Sequence, residues 1–313
     1  MIVTVAIPVL NGGDLLARTL AAVARQTLEA EVELLICDSG SSDGSREVAR
    51  SHGARVIEIE RAAFGHGRTR NLLMAQASGS HVALLTQDAE PAQQDWLALL
   101  LSGFAQADDV ALVYGPYIAR PDANPEVRSE LARWFGSMST GVERLAPQER
   151  ALPALELMGR RGFFSNANAC ISRDAWEQVR FREIGYAEDR ALALDMLRAG
   201  YAKVYEPRAA VIHSHAYGPL QRFRRAFDES RGLHEVYGWR APATPGWLLS
   251  QLRGELGVLR REGAGAPTLA RAATNGLIRH TGTVLGSRSS HLPSGLSRRL
   301  SLEARADAKA GEL

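Results

Sequence analysis

Strand-length apolar runs alternate with helical segments over the first 115 residues, and this alternation constrains the chain most. Residues 3–7, 32–37, 56–59, 82–85 and 110–114 are apolar and four to six residues long. Between them stand segments with helical spacing. Leu15, Leu16, Leu20 and Val23 follow Asp14, expected as a helix cap, and Ser41-Ser42-Asp43-Gly44 opens a short helix. Helices are also expected over 68–77 and 96–104. Strands buried on both faces read as continuous apolar runs, so the expected fold is α/β, with a mostly parallel, Rossmann-like sheet flanked by helices. In such sheets ligands bind beyond the carboxyl ends of the strands. Asn11, Asp38 and Asp88 fall at three of those ends.

Past Gly115 the pattern loosens. Residues 163–171 read as a strand or extended segment, Glu188–Ala199 as a helix stopped by Gly200, and Val204-Tyr205 and Val211-Ile212 as short strands. From Leu220 the chain reads as helical, with breaks at Pro242, Pro245, Gly263 and Pro267. The stretch after Ser287 has the composition of a poorly ordered tail. The expected division is a catalytic domain over 1–218 and a helical, basic extension over 219–313. Within the first, 1–115 would bind nucleotide and 116–218 the acceptor.

Charge supports that division. The net charge is only +2, yet residues 220–300 hold thirteen Arg, no Lys and five Asp or Glu. That excess of eight leaves the rest of the chain at about −6. A basic helical tail fits a membrane surface. Nucleic acid is the competing partner, but no recognised nucleic-acid motif or aromatic stacking platform is visible, so none is expected. The opening ten residues are apolar but lack a basic leader, contain Pro8 and run into Asn11-Gly12-Gly13, so they read as a strand and not a signal peptide. No apolar stretch approaches the ~20 residues that span a bilayer. Cys37 and Cys170 each sit in an apolar run and read as buried thiols, consistent with a reducing cytosol.

Five segments carry candidate chemistry, and each has a plainer reading. Asp38 ends a strand ahead of Ser39-Gly40-Ser41-Ser42-Asp43-Gly44. It can accept from a pyrimidine ring N–H, or be an ordinary loop carboxylate. Thr86-Gln87-Asp88 ends another strand. Its carboxylate can hold a divalent cation between two phosphates, or cap a turn before Pro91. Glu188-Asp189 can supply a base that takes a proton from a sugar hydroxyl, or satisfy a helix dipole. His213 and His215 alternate onto one side of the chain and can complete a metal site or hold a phosphate, or be structural. Phe64-Gly65-His66-Gly67-Arg68-Thr69-Arg70-Asn71 offers close backbone approach and arginines for phosphate, or a tight turn.

Together these segments resemble the family 2 glycosyltransferases, from Val3 to about His215. The resemblance rests on Ile7-Pro8-Val9-Leu10-Asn11, Ile36-Cys37-Asp38-Ser39-Gly40-Ser41-Ser42-Asp43-Gly44-Ser45, His66-Gly67-Arg68-Thr69-Arg70-Asn71, Thr86-Gln87-Asp88-Ala89 and Glu188-Asp189, in this order. Phe64-Gly65-His66-Gly67 with the Thr-Gln-Asp-Ala segment is similar to the rhamnosyltransferase branch. The resemblance implies a GT-A fold, dTDP-L-rhamnose as donor, a saccharide or lipid-linked acceptor of cell-envelope polysaccharide, and inversion by direct displacement. By position it implies that Pro8, Asn11 and Asp38 line the nucleoside pocket, with Arg70 near the base or diphosphate and Gln87 and Asp88 at the donor. Asp88 would hold Mg²⁺ or Mn²⁺, helped by His213 or His215, and Asp189 would be the base beside Glu188. Thr86 stands where the first Asp of the family's Asp-x-Asp motif is expected, which weakens the implied metal site.

Two other classes compete. A sugar nucleotidyltransferase needs a basic glycine-rich loop after the first strand, and Asn11-Gly12-Gly13-Asp14 has no basic residue. A nucleotide-sugar-binding scaffold without catalysis would explain Thr86 but not the Glu188-Asp189 pair. In the C-terminal third, Leu220, Phe223 and Phe227 form one apolar face among Arg222, Arg224, Arg225 and Arg231. Leu249, Leu252, Leu256 and Leu259 form another, flanked by Arg253, Arg260 and Arg261. These faces suit an anionic membrane interface, or packing on the catalytic domain or on a second subunit in a homo-oligomer. The implied location is the cytoplasm, peripheral on the inner face of the cell membrane.

Overall fold

The computed structural model describes residues 2–303. The alternation of the first half is realised as β1 (Ile2–Val9), α1 (Gly13–Ala24), β2 (Glu31–Asp38), α2 (Ser45–Ser51), β3 (Arg55–Glu58), α3 (His66–Gln76), β4 (His81–Leu85), β5 (Glu90–Pro91), α4 (Trp96–Ser102) and β6 (Val110–Tyr114). Asp14 lies inside the first turn of α1, and Gly12 occupies the cap position. The second half adds β7 (Tyr117–Ile118), α5 (Pro125–Gly136), β8 (Gly141–Glu143), β9 (Asn168–Ser172), α6 (Arg173–Gln178), α7 (Glu188–Ala199), β10 (Ala202–Tyr205) and β11 (Val211–Ile212). The helices α8 (Pro219–Tyr237), α9 (Pro245–Arg261), α10 (Ala266–Gly286) and α11 (Ser294–Leu300) follow.

The main sheet has the order β3-β2-β1-β4-β9-β6-β10-β8. β3, β2, β1 and β4 run parallel, as do β6 and β10. β9 runs antiparallel between β4 and β6, and β8 is an antiparallel edge. The expected segment 163–171 therefore narrows to a strand at its end, and its direction is opposite to its neighbours. Side chains fill both faces. Leu73 and Met74 of α3, Trp176 of α6 and Leu192 and Met196 of α7 pack on one face. Leu16, Leu20 and Val23 of α1 and Trp96, Leu97 and Leu100 of α4 pack on the other. Both cysteines are buried free thiols, and burial pushes Cys37 up to about 11. A second sheet, β5-β11-β7, has β11 antiparallel to β5 and parallel to β7.

The chain forms two compact units. One comprises the chain up to Arg120, Leu131–Ile184 and Glu188–Ser214; the other comprises Pro121–Glu130, Gly185–Ala187 and the chain from His215 onward. In the second unit α10 lies close along α8, where a Cβ on Gly286 would stand 2.1 Å from the Phe227 carbonyl. The α8 stripe is thus largely internal. Phe227 is buried and Phe223 half-buried, while Leu220 is exposed. The flanking arginines are engaged too, Arg225 over the Tyr186 ring at 4.8 Å and Arg231 with Asp228 at 3.2 Å. On α9, Leu259 is buried and Leu249 exposed, and Arg253, Arg260 and Arg261 face solvent. The segment after Ser287, expected to be poorly ordered, instead forms α11. Buried Asp228 accepts from Ser301 Oγ and from the Leu302 and Glu303 amides, which fixes the chain beyond it. Residues 304–313 of that expected tail lie outside the described residues. Among the described residues, no helix is long and apolar enough to cross a membrane.

Candidate active site

The carboxyl edge of the parallel strands carries the first cluster. Register pairs Val9 with Asp38, so β1 and β2 end side by side. Asp38 is 1% exposed. Its Oδ1 accepts from the Gly40 and Ser41 amides at 3.1 and 2.9 Å, while its buried Oδ2 has no partner. A carboxylate oxygen buried without a donor is costly, so Oδ2 is a candidate acceptor for an external N–H. The loops after β1 and β2 are laced together. Asn11, at φ +48, accepts from Ser42 N and donates its own amide to Ser41 Oγ, and Gly12 donates to Ser45 Oγ. Gln87 closes the other side, accepting from Leu10 N at 2.8 Å and donating to Leu10 O at 3.1 Å. The amide of Gln87 thus serves the loop, and Pro8 lies half-buried in β1.

The second cluster arises from the small sheet. Antiparallel pairing of Ile212 with Glu90 carries His213 back toward Asp88. His213 Nδ1 lies 3.5 Å from Asp88 Oδ1, and both side chains are largely buried. Arg120 donates to the Asp88 carbonyl, and the Tyr117 ring meets His213 edge-on at 5.1 Å. Two ligands each about 2.1 Å from one ion are about 3 to 3.5 Å apart, so the pair fits a shared divalent cation. His215, two residues further along, opens the last segment of the second unit. Thr86, in the position of the missing motif carboxylate, has a buried hydroxyl with no partner.

The third cluster surrounds the start of α7. Arg70 and Glu188 form a buried pair, Nη1 to Oε1 at 3.0 Å. Arg70 Nη1 also donates to the His66 carbonyl. Burial pushes the Glu188 carboxyl up, but Arg70 and then His66 outweigh it and hold it below its ordinary value. Its half-buried neighbour Asp189 goes the other way. Burial and then the Glu188 charge push it up to about 6, against Arg190 and Arg70. Asp189 Oδ1 accepts from Arg190 N at 2.7 Å. A carboxylate tuned upward beside one held ionised can take a proton near neutral pH.

The His66–Asn71 motif is mostly the scaffold of this third cluster. A Cβ on Gly67 would stand 2.0 Å from the Arg182 carbonyl, so only glycine lets α3 approach there. Asn71 accepts from Trp176 Nε1 and Phe181 N, and Arg68 pairs with Glu183 at 3.0 Å. Arg70, expected near the base or diphosphate, pairs with Glu188. Sequence reasoning missed Asn166, which is 1% exposed and donates to Glu188 Oε1 at 3.0 Å. No local pattern marks it, because its partner lies 22 residues away.

Comparison with known proteins places the chain in a family. The model of glycosyl transferase family 2 matches residues 4–180. The chain is 36% identical over 199 residues to the O-antigen chain rhamnosyltransferase WbaN of Salmonella anatum, covering 63% of this chain and 61% of that one. It is 34% identical over 233 residues to the O-antigen chain rhamnosyltransferase RfbN of Salmonella typhimurium, covering 73% and 71%. The match thus spans less than two thirds of WbaN, and the chain is similar to the rhamnosyltransferase-like branch. Among solved structures, the mannosyltransferase PcManGT of Pyrobaculum calidifontis, solved in complex with GDP-Man and Mn²⁺, superposes with a TM-score of 0.56 at 18% identity, covering 99% of this chain and 86% of that one. The fold is of the GT-A type, and the chain belongs to glycosyl transferase family 2.

Proposed function

We propose that the protein transfers L-rhamnose from dTDP-L-rhamnose to a hydroxyl of a saccharide or lipid-linked acceptor, with inversion, in cell-envelope polysaccharide synthesis. The observation that carries this reading is the Glu188-Asp189 pair, one carboxylate held ionised by buried Arg70 and the other raised to about 6 beside it. The acceptor oxygen forms a bond to the anomeric carbon while Asp189 takes its proton, and the bond from that carbon to the diphosphate oxygen breaks with its electron pair leaving on dTDP. One displacement inverts the anomeric centre. The names of WbaN and RfbN support rhamnose as the sugar.

In this reading residues 1–218 are catalytic, with 1–115 for the nucleotide and 116–218 for the acceptor. Asp38 Oδ2 accepts from the thymine ring N–H, and Pro8 and Asn11 flank the nucleoside. Gln87 keeps the β1 loop in place. Asp88, His213 and His215 would hold Mg²⁺ or Mn²⁺, and the mixed oxygen and imidazole donors favour Mn²⁺. When bound, the ion neutralises charge on the leaving diphosphate. The exposed arginines of α9 and the basic extension would meet the anionic inner face of the cell membrane, where a lipid-linked acceptor resides.

The test is thermal stabilisation by dTDP-, UDP- and GDP-sugars with and without Mn²⁺, followed by dTDP release with an acceptor. Selective stabilisation by dTDP-L-rhamnose is expected, about 2.7 kcal/mol at a hundredfold excess over Kd. Loss of transfer in Asp189→Asn is expected as well. Equal stabilisation by all donors, or transfer that survives Asp189→Asn, would overturn the reading.

A further inference from the structure

Two buried asparagines, Asn166 and Asn168, and the half-buried Asn71 differ in what they serve. Asn168 bridges fixed parts of the fold, accepting from Trp96 Nε1 and donating to the Pro116 and Ala209 carbonyls. Asn71 does the same with Trp176 and both backbone groups of Phe181. Asn166 bonds neither backbone nor core. Its Nδ2 donates to Glu188 Oε1 at 3.0 Å, and its buried Oδ1 has no partner. The amide orientation follows from chemistry, since a flipped carbonyl would face a carboxylate oxygen.

We propose that Asn166 is a positioning residue of the reaction centre. With Arg70 it clamps the same oxygen of Glu188 from two directions and so fixes that carboxylate against Asp189. The inference rests on Asp189 being the base. Two donors on one buried oxygen hold Glu188 in one orientation and favour its ionised form, because a carboxylate accepts both bonds more strongly than a neutral acid. The charge held this way is one of the two causes that raise Asp189. The other charged groups acting on the pair are Arg70 and His66 from α3 and Arg190 from α7 itself.

The claim is tested on the full chain by titrating the Asp189 carboxyl with ¹³C-carboxyl aspartate, the resonance being assigned by its loss in Asp189→Asn. The midpoint should lie near 6 in the wild type. It should fall in Glu188→Gln and rise by at least about half a pH unit in Asn166→Asp, where a third carboxylate faces the pair. Turnover of dTDP-L-rhamnose should fall at least about tenfold in Asn166→Ala through kcat, with KM for the donor unchanged, because only the transition state feels the misplaced base. Asn166→Ser, which keeps a donor, should recover part of that loss and stands in if the aspartate variant fails to fold. An Asp189 midpoint and kcat unmoved across the series, with the melting temperature intact, would overturn the proposal. Should the midpoint shift as expected while Asp189→Asn retains transfer, the clamp stands and the assignment of the base falls.

Discussion

Replacing Arg70 by methionine leaves Glu188 buried without its cation, and the cost can be worked from the pair. The two side chains are 6% and 7% exposed and meet at 3.0 Å. Removing one partner of such a pair costs about 3–5 kcal/mol. Asn166 and His66 remain, which sets the expectation near 3 kcal/mol, or roughly 6–12 °C in Tm for a domain of this size. The pH dependence has a definite sign. In the wild type the Glu188 carboxyl is held below its ordinary value of 4.5, so it adds stability above that pH that is lost as pH falls through the folded value. In Arg70→Met burial prevails and lifts the carboxyl above 4.5, so Glu188 costs stability that sets in as pH rises. The deficit is therefore widest near neutrality and narrows toward pH 4. Urea unfolding of wild type, Arg70→Met, Glu188→Gln and the double variant at pH 4.5 and 7.5 measures it. Glu188→Gln should restore much of the loss, with a coupling of at least about 1.5 kcal/mol at pH 7.5. A loss below about 1 kcal/mol at pH 7.5, or a deficit that grows toward acid, would refute the account of the pair.

Other perturbations probe the remaining clusters. Asp38→Asn keeps an oxygen for the Gly40 and Ser41 amides but removes the charge, so dTDP should bind about tenfold more weakly by calorimetry, the loss of a charged hydrogen bond, with Tm nearly unchanged. His213→Ala should weaken Mn²⁺ by at least about tenfold in a titration with dTDP present, and an unchanged Mn²⁺ requirement would remove it from the ion's ligands. Changing Arg253, Arg260 and Arg261 together to alanine should abolish sedimentation with anionic vesicles and leave neutral vesicles unaffected; each charge near such a surface is worth about 1 kcal/mol.

The parts of the fold legible in the sequence are those fixed by local pattern. The strands β1, β2, β4 and β6 were visible because continuous apolar runs end in polar residues, and α7 because acidic residues open it and Gly200 ends it. The direction of β9 was not, since apolar composition is the same whichever way a strand runs and only its pairing with β4 and β6 decides. α5 escaped notice despite Pro125 at its start and Leu131, Trp134 and Phe135 at helical spacing. The segment after Ser287 has five serines and no aromatic or β-branched residue, so it reads as a tail. Among its described residues, Ser301–Glu303 are held by Asp228, more than seventy residues earlier. Asp38 and Asp189 could be singled out through the family pattern they stand in, since a carboxylate at a strand end or helix start also serves as a cap or a dipole partner. Asn166 could not, because an asparagine declares its role only through its partner.

Thr86 changes what the proposed metal site can do alone. One carboxylate and neutral imidazoles offer less negative charge than two carboxylates, so less of an ion's hydration is replaced by the protein. In the proposed reaction the donor's diphosphate oxygens would then supply much of the binding, and ion and nucleotide would bind as one event. Linkage makes this reciprocal, since whatever factor the ion adds to nucleotide affinity the nucleotide adds to ion affinity. The proposed base and the proposed ion site would thereby be separated in this chain. Asp189 is raised by burial and by Glu188 with no donor present, whereas the proposed site at Asp88 and His213 would be completed only when the donor arrives.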